Sequence, residues 1–373
     1  MHVEIRNTHW KNQGAQLMLR AIIQRLRREA EDWSLVVTGR CATAETRREL
    51  NLCRMPWAQG WGTQADLLAR LLPPLHPKGW VRAGQIDVVL DASGFAYGDS
   101  WGPEKARIAA AYYRRVKARG GRVILLPQAL GPFEGEAIRT AFAEVVSLAD
   151  RVYARDPTSF AAVQELCGES SHVLQSNDFT HGISIESPSP ALAPKTVALI
   201  PNRKMLEMGA AQQGEYVGLF TRATQQLIER GYTPMILIHS AEDRALSAAI
   251  VRSLPTPIDV VEESHPLRVK GLIGQCHAVL SSRFHGLVNA LCSAVPAIAT
   301  GWSHKYQHLL DDFGCSDMLL SADADDEILA RALNALLDEP RRSQTIERLL
   351  DATREQKERT ETMWLDMLDV MRG

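Results

Sequence analysis

The chain has 373 residues, 45% apolar and 23% charged, with 42 basic side chains against 44 acidic ones and a formal charge of -2. At roughly 150 residues per domain this length suits about two domains, and the composition excludes a disordered, collagen-like or disulfide-stapled chain. The near-neutral balance gives no broad nucleic-acid surface, so an anionic partner must be met by a local cluster of cations.

Residues 2–6 read as a strand, and residues 14–28 as a helix with Leu17, Leu19, Ile22, Ile23 and Leu26 near helical spacing. Strands are expected at 35–38, 86–90, 123–126 and 151–154, with helices at 104–118 and 136–149 between them. This strand–helix alternation is the pattern of a mostly parallel sheet. Residues 183–194, ISIESPSPALAP, carry the prolines and serines of an extended linker. The alternation then restarts. Strands are expected at 196–200, 234–238, 258–261, 278–281 and 297–300, and helices at 215–230, 267–275 and 286–294. From Asp325 the pattern is nearly all helical. The expected architecture is α/β: two Rossmann-like domains whose parallel sheets face across a cleft, divided as 1–185, 186–340 and a helical tail at 341–373. Open parallel sheets take ligands at the carboxyl ends of their strands, which directs attention to the loops there.

Six scattered cysteines form no C-x-x-C pair, which gives no sign of a zinc or redox motif and suits a reducing compartment. The segment MHVEIRNTHW lacks the charge-then-apolar order of a signal peptide, and no run of about 18 apolar residues occurs. A cytoplasmic protein without a transmembrane segment is the expectation; peripheral contact with a membrane face stays open.

Three windows carry candidate chemistry. In SSRFHG a strand runs into a helix start at Arg283, His285 and Gly286, and His304 and Lys305 follow the next strand. A helix N-terminus with a guanidinium suits phosphate or carboxylate, a histidine moves protons near neutral pH, and a glycine admits close approach. In NTHWKNQG, Asn7, Asn12 and Gly14 occupy the first strand-to-helix loop without a G-x-G-x-x-G fingerprint, which argues against a nicotinamide or flavin enzyme. In LDASGFAYGDSWG, Asp91 and Asp99 are candidates to take a proton from a sugar hydroxyl, with Ser93, Gly94, Tyr97 and Trp101 beside them. Asp91 could equally cap a turn. Gln128 ends another strand, His239 follows one in the second half, and Arg155, Asp156 and Ser159 read as a helix cap.

These windows, in order along most of the chain, resemble the polysaccharide pyruvyl transferase family: NTHWKNQGAQLMLRAI, LDASGFAYGD, LLPQALGPF, ARDPTS, GLIGQCHAVLSSRFHGLVNALCSAVPAIA and HKY. S-R-F-H-G, a small-residue helix and V-P-A-I-A are the most specific part. Gln16 stands where one branch of the family has an acid, and Ala92-Ser93-Gly94 where many members have a glycine triplet. The resemblance implies a bacterial enzyme with a fold like that of GT-B glycosyltransferases. It implies phosphoenolpyruvate as donor, no other cofactor and no metal, and a sugar or lipid-linked saccharide as acceptor. The product would be a pyruvate ketal on an envelope or extracellular polysaccharide or its precursor. A nucleotide-sugar glycosyltransferase and a non-catalytic sugar-phosphate binder are the alternatives. On this reading His285 is the acid, and Arg283, Gly286, His304 and Lys305 meet the donor in the second domain. Asp91 or Asp99 serves the acceptor in the first domain, the cationic cluster lies wholly in the second, and Arg283→Ala spares the fold.

Overall fold

The computed structural model describes residues 1–55, 79–183 and 191–373. The expected linker centre and the boundary at 185/186 lie outside the described residues. The chain divides into two compact units: Met1–Trp10, Met18–Gly182 and Arg359–Gly373 form unit 1, and Lys11–Leu17 with Ile183–Glu358 form unit 2.

Unit 1 carries strands β1 (His2–Arg6), β2 (Ser34–Val37), β3 (Cys53–Arg54), β4 (Val88–Asp91), β5 (Phe95–Tyr97), β6 (Arg122–Leu130), β7 (Arg151–Ala154) and β8 (Val173–Gln175). Its helices are α1 (Gln13–Glu29, shared with unit 2 through its first turn), α2 (Ala44–Glu49), α3 (Glu104–Lys117), α4 (Glu136–Leu148) and α5 (Pro157–Cys167). The sheet order is β3-β2-β1-β4-β6-β7-β8, with β5 paired to β6. Val3 lies beside Leu35 on one side and Val88 on the other, both in parallel register. Strands covered on both faces need unbroken apolar runs, and β4 and β6 supply them.

Unit 2 carries β9 (Thr196–Ile200), β10 (Thr233–Ile238), β11 (Asp259–Glu262), β12 (Ala278–Ser281) and β13 (Ala297–Ala299), in the parallel order β11-β10-β9-β12-β13. Its helices are α6 (Lys204–Glu207), α7 (Gln213–Glu229), α8 (Arg244–Ser253), α9 (Pro266–Gly274), α10 (Phe284–Cys292), α11 (Lys305–Asp312) and α12 (Asp326–Leu337). Leu199, Leu280 and Ile298 on neighbouring strands are buried against Leu219, Ile250 and Leu287 from the helices. The expected tail is one helix, α13 (Glu339–Arg372), whose last turns belong to unit 1. There Trp364, Met367 and Met371 are buried, and Arg151 donates to Asp366 at 2.9 Å. Among the described residues no helix is long and apolar enough to cross a membrane.

In both sheets the strand order reverses beside the first strand of the unit: between β1 and β4 in unit 1, and between β9 and β12 in unit 2. The crevice at such a reversal is where open parallel sheets hold ligands.

Candidate active site

In unit 2 the reversal brings Asn202, just after β9, against Ser282, just after β12. Asn202 Nδ2 donates to the Ser282 carbonyl at 2.8 Å. Ser281 Oγ accepts the Arg283 N–H and donates to the Arg283 carbonyl, both at 3.0 Å, closing a tight link from β12 into α10. A Cβ on Gly286 would lie 2.7 Å from Ser281 Oγ and 3.2 Å from Ile200 Cδ1. Gly286 therefore lets α10 pack down on the sheet, a reason for glycine that the sequence reading did not give.

Arg283 is buried, and its guanidinium meets the Asp243 carboxylate with two bonds, Nε to Oδ2 at 2.8 Å and Nη2 to Oδ1 at 2.6 Å. Asp243 also accepts the Arg203 N–H at 2.9 Å. Burial pushes the Asp243 carboxyl above its ordinary value while Arg283 draws it back. Removing either partner leaves a buried charge alone, at a cost of about 3–5 kcal/mol. Arg283 thus secures the strand–helix junction, and the pairing predicts that its loss costs stability, against the expectation that it spares the fold.

His285, on the first turn of α10, is half-buried. The first turn of α1 lies directly on it: a Cβ on Gly14 would fall 2.3 Å from His285 Nδ1. Only glycine fits there, so the N-Q-G spacing sets the place of the histidine. Asn12 caps that turn, its Oδ1 accepting the N–H of Gly14 at 2.9 Å and of Ala15 at 3.3 Å. Gln13 Nε2 ties the turn to the Glu263 and Ser264 carbonyls, both at 3.0 Å.

His239, at the end of β10, is buried, and neither ring nitrogen has a hydrogen-bond partner among the described residues. Burial, then the nearby Arg283 and His285, hold its pKa well below 6.5. It is neutral at neutral pH, with one nitrogen donating and the other accepting. Lys305 opens α11, and its Nζ lies 4.5 Å from the Trp302 ring, 5.3 Å from Phe284 and 5.5 Å from Tyr306. Cation–π attraction operates within about 6 Å. The Phe284 ring meets His285 edge-on with centroids 5.6 Å apart. The site therefore joins His239, His285 and Lys305 around α10, with His304 as the residue before α11.

In unit 1 the Asp91 carboxylate is fully buried and engaged on both oxygens. Oδ1 accepts from Asn7 Nδ2 at 2.9 Å, from the Ser93 N–H at 3.1 Å and from Ser93 Oγ. Oδ2 accepts from the Tyr97 hydroxyl at 2.7 Å and from the Tyr113 hydroxyl. Burial first, then Asp91, pushes both phenols well above 10. Five donors on one carboxylate leave no room for a substrate proton, so the general-base expectation for Asp91 is corrected: it fixes the loop after β4 to β1 and α3. Asp99 is exposed and accepts the N–H groups of Glu134 and Gly135 at 2.8 and 2.9 Å. That makes it a cap on the turn before α4, a structural role that the sequence reading did not assign it. Trp101 sits edge-on to Phe95 and carries Lys105 Nζ 4.4 Å from its ring centre. Gly94, at φ +70, makes the turn that the Ser93 bonds require. Gln128 is wholly buried on β6, and neither amide atom has a side-chain or backbone partner among the described residues. Asp156 caps α5 by accepting the Ser159 N–H at 2.7 Å, as its sequence position suggests.

Beside Asp91 lies a pocket of about 420 Å³ at the carboxyl ends of β1, β2 and β4. Asn7, Ser93 and Tyr97 border it, and so do Arg6, Arg40 and Lys105. The cationic cluster of the sequence reading, Arg283, His304 and Lys305, lies in unit 2, and this second set of cations in unit 1 was not part of it.

A family model of the polysaccharide pyruvyl transferases matches residues 12–304, from the Asn12 cap to His304. The chain belongs to that family. Its structural neighbours have the GT-B kind of fold. Staphylococcus aureus MnaA, solved with UDP, matches at a TM-score of 0.61 with 12% identity, covering 95% of this chain and 93% of that one. Anabaena HepE, solved with UDP-glucose, matches at 0.61 with 13% identity and 99% of both chains. The UDP-GlcNAc 2-epimerase of Neisseria meningitidis matches at 0.58 with 12% identity and 99% of both chains. At such identities these likenesses establish the fold alone.

Within this family member, sequence reasoning missed the partners of its candidate residues. Asp243 stands 40 positions from Arg283, and Tyr113 stands 22 from Asp91. No spacing rule links such pairs. Arg6 and Glu4 had a visible signal: charges beside Val3 and Ile5 in HVEIR, a strand that proves buried from Val3 to Arg6.

Proposed function

We propose that this family member transfers the enolpyruvyl carbons of phosphoenolpyruvate to two hydroxyls of a saccharide. The product is a pyruvate ketal, and phosphate is released. The carrying observation is the placement of the S-R-F-H-G motif at the strand-order reversal of unit 2, with His285 held between α10 and Gly14. The chemistry needs a proton on the methylene carbon, attack by one hydroxyl on the adjacent carbon, and displacement of phosphate by the second. Of the two hydroxyl protons, one ends on the methyl group and the other leaves with phosphate. His285 is the group placed to deliver and recover a proton. His239, neutral and buried, offers a hydrogen bond without a competing charge. Lys305 adds an amino group, suited to a carboxylate or a leaving phosphate.

This reading gives the donor to unit 2 and the saccharide to unit 1, where Asn7 and Ser93 border a pocket of sugar size. It is tested with Gly14→Ala. The added methyl must displace the His285 ring, so turnover should fall at least tenfold while phosphoenolpyruvate still shifts the melting temperature. Unchanged turnover would remove His285 from the reaction.

A further inference from the structure

A hydroxyl that attacks carbon must give up its proton, and the unit 1 pocket has no carboxylate on its border among the described residues. Asp91 stands behind the wall, enclosed by Asn7, Ser93 and the two tyrosines, and Asp99 does not border the pocket. The Tyr97 phenol donates to Asp91 and is pushed well above 10 by burial. The Cys41 thiol is 2% exposed and lies 3.3 Å from Thr38 Oγ1. His9 also borders the pocket, and its side chain is exposed. Imidazole is the side chain that takes up and releases a proton near neutral pH.

The loop holds His9 from both sides. Asn7, just after β1 and at φ +63, turns the chain and donates to Asp91 Oδ1 at 2.9 Å. Trp10 N–H donates to the Arg40 carbonyl at 3.2 Å. The His9 ring stacks on the Trp10 ring, their planes 10° apart and their centres 6.5 Å apart. Two buried donors lie next to it in the chain. Thr8 is 2% exposed and its hydroxyl has no hydrogen-bond partner among the described residues; Arg6 is 1% exposed and its Nε and Nη2 have none there either. Buried donors left unpaired are costly, and an incoming hydroxyl oxygen relieves that cost. Arg40 and Lys105 border the same pocket, and positive charge steadies such an oxygen as its proton leaves.

We propose that His9 is the general base of the transfer. Its ring takes the proton of the hydroxyl that attacks first, and the freed electron pair forms the new carbon–oxygen bond. The second hydroxyl then displaces phosphate, which leaves with its bonding pair. The proton of that hydroxyl replaces the one His285 gave to the methylene carbon, and the proton on His9 passes to the released phosphate. This deepens the function proposed above and rests on its assignment of the acceptor to unit 1.

The test follows phosphate release from phosphoenolpyruvate with free and lipid-linked hexosides, for the wild type, His9→Gln and His9→Gly. His9→Gln should lower kcat about a hundredfold with phosphoenolpyruvate affinity unchanged. The fall of wild-type kcat/KM for the saccharide toward acid pH, where the base is protonated, should be missing from the variant's residual rate. Free imidazole should raise the rate of His9→Gly about tenfold and leave the wild type unchanged. Near-native turnover of His9→Gln overturns the proposal. So does a loss of turnover that keeps the acid limb and is not rescued by imidazole, because that is the mark of a structural role. If the wild type binds phosphoenolpyruvate but forms no ketal with any hexoside, the transfer reading itself fails and the base goes with it.

Discussion

The two strand-order reversals handle charge in opposite ways. In unit 1 the conspicuous residue is an acid, Asp91, and five donors enclose it, while the adjoining pocket presents cations. In unit 2 the conspicuous residue is a base, Arg283, and Asp243 neutralises it, while the neighbouring groups are His239, His285 and Lys305. In each unit the charged motif residue holds the loop, and the candidate groups for chemistry stand beside it. A buried charge must be paired to be tolerated, and pairing uses up the hydrogen-bonding capacity that a ligand would need.

The comparison breaks first at His285. His285→Gln should lower turnover about a hundredfold to ten-thousandfold with phosphoenolpyruvate affinity within a few fold, read from kcat at saturating donor. Near-native turnover would give unit 2 no more chemistry than unit 1.

The two anchors come next. Arg283→Ala should cost about 3–5 kcal/mol in urea unfolding, because Asp243 is left buried and unpaired. Joint replacement of Arg283 and Asp243 by leucine should recover much of that loss. Asp91→Ala should cost about 3 kcal/mol or more, since the Tyr97 and Tyr113 hydroxyls lose their acceptor. A stable Asp91→Ala protein without turnover would restore Asp91 as a base.

A smaller effect separates His239 from its surroundings. Its folded pKa lies below 6.5, so between the two values the unfolded chain binds more protons. Stability therefore rises with pH through that window and is lost as pH falls below about 6.5, by at most about 1.4 kcal/mol per pH unit. His239→Gln should flatten that part of the stability profile, and an unchanged slope would mean that the ring is protonated in the fold. The smallest effect belongs to Asp99→Asn, which should cost about 1 kcal/mol as a weakened cap and leave acceptor KM within twofold.

The sequence was most legible where burial dictates composition. Strands 151–154, 196–200 and 278–281 are read to the residue because each is a short apolar run between polar loops. β5 and β8 escaped because each has three residues and is defined by pairing to a neighbour, β6 for one and β7 for the other. The place of the S-S-R-F-H-G motif was legible for a different reason: a strand that ends there has to start its helix at the sheet edge. The roles were not legible, because Arg283, Asp91 and Asp99 are each defined by a partner distant in sequence. The first turn of α1 shows the same limit. Gly14 was visible as a small residue in a loop, but its reason is the His285 ring 271 positions on.

The most direct test of the account is mass spectrometry of a panel of saccharides, free and lipid-linked, incubated with the protein and either phosphoenolpyruvate or UDP-glucose. The account predicts a product heavier than the acceptor by pyruvate less one water, formed only with phosphoenolpyruvate, accompanied by phosphate and absent with His285→Gln. A product heavier by a hexose residue, formed only with UDP-glucose, would contradict it.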